Sequence, residues 1–417
     1  MLRLVQSHIG LASKALPDAV ALPHVSLVVI NHNYARYIGD TIRSIFAQSY
    51  PWADCLIVDN GSTDSSVEVI RDHIGDDPRI TLLQFDRNYG HLGAALKILD
   101  RLKGEFVCFV DADDILFPDF IASHVQAHLA APETVSLTSS NVIEIDADGK
   151  ILGGALPWLR KGGRNGFRRP SGVLELPMLS DDDRRQLSEA CSTFDSNERH
   201  WLWGPGTSNM YRRSMIAFLL PNTVHDGRRG GVDCFLNYFG HALTGSCVID
   251  IPLSAYRIHG ANDHSRRPSL SGLYPGLPHN VEVDHEIAAS VGAMVLERAE
   301  SIGFAVGGQR FWQIIDVIGA RSFRAPADYY RSLLPAYAEH YDLLVKLFGE
   351  RGVSRELRPR IGLRAFFTLW RRAHRDRPAA VALLATAAVE LRHRRAEFKQ
   401  ALVARLRYLL GMIGARR

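Results

Sequence analysis

The sequence predicts an α/β fold whose first part is a mostly parallel, buried sheet, followed by a mostly helical C-terminal region. Three observations carry that prediction. From Val25 onward, short apolar runs alternate with helix-period segments across short loops, the pattern of βαβ units with a covered sheet. A polar cluster directly follows each of the first four apolar runs, and open α/β sheets bind ligands at the carboxyl ends of their strands. Beyond Asn280 nearly every segment reads as helix.

Taken in order, VSLVVI (25–30) is a strand and YIGDTIRSIFAQ (37–48) an amphipathic helix. CLIVD (55–59) is a strand and DSSVEVIRDHI (64–74) a helix. ITLLQF (80–85) is a strand, HLGAALKILDRL (91–102) a helix, and FVCFV (106–110) the fourth strand. The clusters at their ends are NHNY, DNGSTD, DRNYG and DADD. VSLTSSNVIEIDADGKILGG (135–154) reads as two strands around an Asp-Gly turn. Residues 155–200 read as irregular, with the basic RKGGRNGFRR (160–169) ahead of an acidic DDDRR. A lid and a solvated loop both fit that stretch.

At 417 residues two units are expected. A composition 46% hydrophobic and 23% charged fits a soluble globular protein with a large core. Five cysteines, an odd number without a CxxC pair, argue against a disulfide framework or zinc site and for reduced thiols in a cytosolic setting. No signal peptide is expected in the first 25 residues, and no run reaches the ~18–20 apolar residues of a spanning helix. Charge is unevenly placed: residues 351–417 hold 17 Arg and Lys against four acids, a net +13, so the remainder sums to −9 within a total of +4. An acidic folded unit and a basic tail are expected.

FVCFVDADDILFP (106–118) carries the strongest chemical signal. Residues i and i+2 of an extended chain point the same way, so Asp111 and Asp113 converge and Asp114 leans elsewhere. Paired hard oxygen ligands suit Mg²⁺ or Mn²⁺, which complete their shells with water and substrate phosphates. Helix capping near Pro118 is the rival reading; it explains one Asp and not three.

Four segments in order, VINHNYARYIGDTIRSIFAQSYP, LIVDNGSTDSS, RNYGHLGAAL and GEFVCFVDADDILFPDF, resemble the nucleotide-sugar-binding half of family 2 glycosyltransferases with the GT-A fold. The resemblance resumes at WGPGTSNMYRRSM (203–215), GGVDCFLNYFGHAL (230–243) and IPLSAYRIHGAND (251–263), covering roughly 25–265. It implies a Rossmann-like GT-A domain over 25–275, with a donor half at 25–130 and an acceptor half at 131–275. An extension at 1–24 precedes it and a helical basic region at 280–417 follows. It further implies an inverting transferase using a nucleotide-diphosphate sugar, a UDP-sugar foremost, with Mn²⁺ or Mg²⁺. Asp59 would read the nucleobase and Tyr34 stack near it, with Asn31 and Asn33 in the same first loop. Asp111 would contact ribose or metal, Asp113 would ligate the metal, and His259 would be a further metal or diphosphate contact. Arg257 would meet the diphosphate, and Asp233 would be the general base.

Three positions depart from the family pattern. The acidic pair before the base helix is Val232-Asp233, DDGSTD is DNGSTD with Asn60, and an expected asparagine falls on Leu96. A non-catalytic binding or scaffold protein is the alternative, and a sugar-phosphate nucleotidyltransferase a weaker one, because NHNYARY replaces the Gly-rich basic loop it needs. RPRIGLRAFFTLWRRAHRDRP and LRHRRAEFKQALVARLRYLLGMIGARR mix Arg with apolar residues at helical spacing. Packing on the domain and binding an anionic lipid surface near a lipid-linked acceptor both remain open, and no nucleic-acid motif is present. The expected location is the cytoplasm, with the inner face of the membrane as the tail's surface.

Overall fold

The computed structural model describes residues 21–51, 53–131, 134–154, 164–165, 178–199, 201–220, 231–260, 262, 281–323 and 325–373. The 1–24 extension up to residue 20, most of RKGGRNGFRR, and the tail beyond 373 lie outside them. The chain divides into two compact units, Met1–Leu333 and Leu334–Arg417.

The first unit is built on strands β1 (Val25–Asn31), β2 (Ala53–Asp59), β3 (Ile80–Gln84) and β4 (Phe106–Asp111). Helices α1 (Ile38–Phe46), α2 (Ser66–Ile74) and α3 (His91–Leu96) connect them. Every residue of β1 is buried. Each Val, Leu or Ile so placed contributes roughly 1.5–3 kcal/mol, enough in sum to hold polar groups at the strand ends. In α1 the buried Ile38, Ile42 and Ile45 repeat at helical spacing, which seats that face on the sheet. The third helix is shorter than its pattern predicts. It stops at Leu96, and a 3₁₀ turn at Leu99–Arg101 follows, with Ile98 and Leu99 both buried.

Next come β5 (Ile115–Leu116), α4 (Phe120–Ala130), β6 (Leu137–Asp146), β7 (Ile151–Gly153), β8 (Arg164–Asn165), α5 (Asp181–Ala190) and β9 (Cys191–Phe194). Then follow β10 (Asn209–Arg212), α6 (Arg213–Ile216), α7 (Val232–Thr244) and β11 (Ser246–Ile258). One mixed sheet runs β3-β2-β1-β4-β10-β6-β11-β9-β8, with β5 on β11 and β7 on β6. Only its β3-β2-β1-β4 part is all parallel; β10 enters antiparallel to both β4 and β6. The Asp-Gly turn forms as expected, with Gly149 at φ +86° between β6 and β7. The stretch expected to be irregular instead holds α5 and β9 in its described part. Ser180 and Asp183 close a capping box that starts α5.

Helices α8 (Val281–Glu297), α9 (Ala299–Val306), α10 (Gly308–Ser322) and α11 (Pro326–Ser332) complete the described part of the first unit. The second unit holds α12 (Leu334–Glu339) and α13 (Tyr341–Ala373). Gly349 (φ 71°) and Gly362 (φ 79°) break α13 into three pieces, conformations glycine adopts without the Cβ clash. Phe366, Leu369 and Trp370 of its last piece are buried, and Trp370 Nε1 donates to Glu350 at 2.7 Å. No described helix is long and apolar enough to cross a membrane.

Candidate active site

Register gathers the polar strand ends. Asn31 lies opposite Asp59 across β1 and β2, and Ile30 opposite Asp111 across β1 and β4. Asn31, Asp59 and Asp111 therefore share one carboxyl edge, where this sheet class binds ligands.

The first two loops are tied together at that edge. Asn31 Nδ2 donates to Asp59 Oδ1 (3.0 Å) and Ser62 Oγ (3.0 Å). Ser62 N–H donates to Asp59 Oδ2 (3.2 Å), the turn role open to an Asp at a strand end. Asn33, at φ 61°, accepts through Oδ1 from the Thr63 and Asp64 N–H groups. Its role in the structure is thus to join the loops. Asn60 reaches the third loop, donating to Asn88 Oδ1 (3.0 Å) and accepting from Tyr89 N–H (2.9 Å).

The three acids after β4 have separate surroundings. Asp114 is fully buried and accepts from Thr207 Oγ1 (2.6 Å) and from Arg257 N–H (2.9 Å). Burial, and then its neighbours Asp113 and Asp111, hold its carboxyl well above the usual carboxylate range. Asp113 Oδ2 stands 2.9 Å from His259 Nε2, and that imidazole stacks on Tyr37 at 5.0 Å and meets Tyr34 edge-on at 5.7 Å. Asp111 N–H donates to Thr207 Oγ1 (3.0 Å), and its Oδ1 lies 3.4 Å from His91 Nε2. Gly206 lies against the same carboxylate: a Cβ there would stand 3.0 Å from Asp111 Oδ2.

Arg257 differs from its expected role. Its buried guanidinium donates from Nε to the Asp113 carbonyl (2.7 Å), from Nη1 to the Ala147 carbonyl (3.1 Å) and from Nη2 to Asp40 Oδ2 (3.1 Å). It also lies over Tyr37 at 5.0 Å. Three of its N–H groups go to protein acceptors, and the one on the Asp113 carbonyl holds that backbone in place. Asp233 is the second residue of α7, in the first turn where the helix dipole favours an acid.

Asp113 and His259 suit a small divalent ion. Two cis ligands of an octahedral ion at about 2.1 Å stand about 3 Å apart, close to the 2.9 Å separating Oδ2 and Nε2. Among the described residues no group of three or more His, Cys, Asp or Glu is placed to hold a metal ion. A site on that pair would draw its remaining ligands from phosphate oxygens and water. His91, Tyr37 and Thr207 escaped the sequence reading, because each acts through partners far away in the chain.

Residues 26–172 match the model of glycosyl transferase family 2. That match covers 147 of the 417 residues. An uncharacterized glycosyltransferase of Nostoc sp. is 28% identical over 247 residues, 59% of this chain and 68% of the relative. TuaG of Bacillus subtilis, a putative teichuronic acid biosynthesis glycosyltransferase, is 36% identical over 92 residues, 22% of this chain and 36% of its own length. The crystal structure of Staphylococcus aureus TarS residues 1–349 superposes at a TM-score of 0.43 with 15% identity, covering 78% of this chain and 81% of that one.

Proposed function

We propose that this glycosyltransferase moves a sugar from a UDP-sugar to an acceptor hydroxyl with inversion at the anomeric carbon, in surface polysaccharide or lipid-linked glycan synthesis. The observation that carries the reading is the buried Asp113–His259 pair beside Asp111 at the carboxyl edge of the sheet. The naming of TuaG for teichuronic acid biosynthesis supports the polysaccharide setting.

Asp113 and His259 would hold Mn²⁺ or Mg²⁺, which when bound supplies positive charge against a diphosphate leaving group, with Asp111 at the ribose. Asp59 would accept from the imide N–H of uracil, with Tyr34 beside the base and the Asn31 and Asn33 loop beneath it. Asp233 takes the proton of the acceptor hydroxyl as its oxygen attacks the anomeric carbon. The bond from that carbon to the diphosphate breaks on the opposite face, so the configuration inverts. General-base catalysis of this kind is typically worth ~10²–10⁴ in rate. In the tail, Phe366, Leu369 and Trp370 are buried while Arg364, Arg371 and Arg372 are exposed. Within the second unit that pattern favours packing over lipid contact for this part of the tail, in an enzyme we place in the cytoplasm.

The test is release of nucleoside diphosphate from a panel of nucleotide sugars with Mn²⁺. The reading expects turnover of a UDP-sugar, lost in Asp113→Ala, and an Asp233→Asn variant that binds donor yet turns over ~10²–10⁴-fold slower. A chain that neither binds nor hydrolyses any donor would instead be a scaffold.

A further inference from the structure

We infer that His91 is a positioning residue: one imidazole braces the helix that carries Asp233 against Asp111 at the tip of β4. The inference rests on the reading of Asp111 and Asp233 given above and adds a residue to it.

Helix α7 begins without a side-chain cap of its own, because its N-cap is Gly231. The first N–H groups of any helix lack intrahelical acceptors. Val232 N–H finds one in another element, donating to His91 Nδ1 at 3.4 Å across 141 positions of sequence. His91 is the first residue of α3, at the end of the third polar loop. With Nδ1 accepting, the ring proton sits on Nε2. That nitrogen lies 3.4 Å from Asp111 Oδ1. Nδ1 thus takes the helix N–H, while Nε2 lies beside the Asp111 carboxylate without a hydrogen bond.

This arrangement has a mechanical consequence. Asp111 is fixed from the sheet side, its N–H held by Thr207 Oγ1 at 3.0 Å. Asp233 follows Val232 directly, so its position depends on where the first turn of α7 sits. The imidazole between them sets the spacing of the donor-side carboxylate and the acceptor-side base. An error of about 1 Å in such a spacing can cost ~10²-fold in rate.

Amide hydrogen exchange on the full chain tests the brace without any substrate. In His91→Ala, exchange at Val232–Phe235 should rise about tenfold while β1 and β4 keep their protection. His91→Asn, whose Oδ1 can take the place of Nδ1, should restore protection; His91→Gln, which extends only toward Asp111, should not. Unchanged exchange at Val232–Phe235 in His91→Ala overturns the brace. With UDP-glucose and Mn²⁺, His91→Ala should lower kcat for hydrolysis about 10–100-fold with KM within about twofold. A wild-type kcat in that variant overturns the positioning role. A wild type that turns over no donor sinks the transfer reading itself and leaves the exchange result to decide the brace.

Discussion

His259 Nε2 meets Asp113 Oδ2 at 2.9 Å although 146 positions separate them, and both side chains are more than nine-tenths buried. The short strand β5 brings them together. Its antiparallel pairing, Ala255 with Ile115 and Ser254 with Leu116, carries the end of β11 back over the end of β4. Arg257 then spans the junction through the Asp113 carbonyl and the Asp114 carboxylate.

Arg257→Lys should destabilise the chain by about 3 kcal/mol. A single ammonium cannot reach the three acceptors that Nε, Nη1 and Nη2 now serve, and a buried charge left short of partners is costly. Urea unfolding reads the loss. An unchanged midpoint with an unchanged slope would show that the guanidinium does not hold the junction.

Gly206→Ala should lower turnover about 10²-fold with little loss of stability. The new Cβ would stand 3.0 Å from Asp111 Oδ2, tighter than ordinary contact, and the carboxylate is the group able to give way. Steady-state kinetics beside a thermal melt separate displacement of Asp111 from general unfolding.

Stability should fall as pH drops below about 6.5. His124 is fully buried, with Nδ1 2.7 Å from Thr138 Oγ1, and burial pushes its pKa down to about 3. Between those pH values the unfolded ring binds a proton that the folded ring refuses. Unfolding is therefore favoured by up to about 1.4 kcal/mol per pH unit for that group, and the loss levels off near pH 3. Burial depresses His128 and His241 in the same direction. Urea titrations at pH 7 and pH 5 should show a smaller difference in His124→Asn than in the wild type.

The first four strands were legible in the sequence because their signals are local. Runs such as VSLVVI and FVCFV are continuous and buried, and each βα loop holds its own polar cluster. Strands β10 and β11 were not, since they owe their places to partners about 70 to 140 residues away. Strand β11 also carries Pro252 at a register shift, which weakens a strand pattern. The start of α5 had a readable signal in Ser180 and Asp183, hidden among neighbouring acids. Within the site, Asp111, Asp113 and Asp59 stand out as acids ending apolar strands. Arg257 was identifiable as a buried cation only from its three protein acceptors, and His91 only once Val232 and Asp111 were placed beside it.

Manganese binding followed by electron paramagnetic resonance is the sharpest test of the metal assignment. With UDP present, the wild type should take up the Mn²⁺ signal, whereas Asp113→Ala and His259→Ala should each leave the ion free at the same concentrations. Equal uptake by all three proteins would contradict the assignment of the Asp113–His259 pair to the metal.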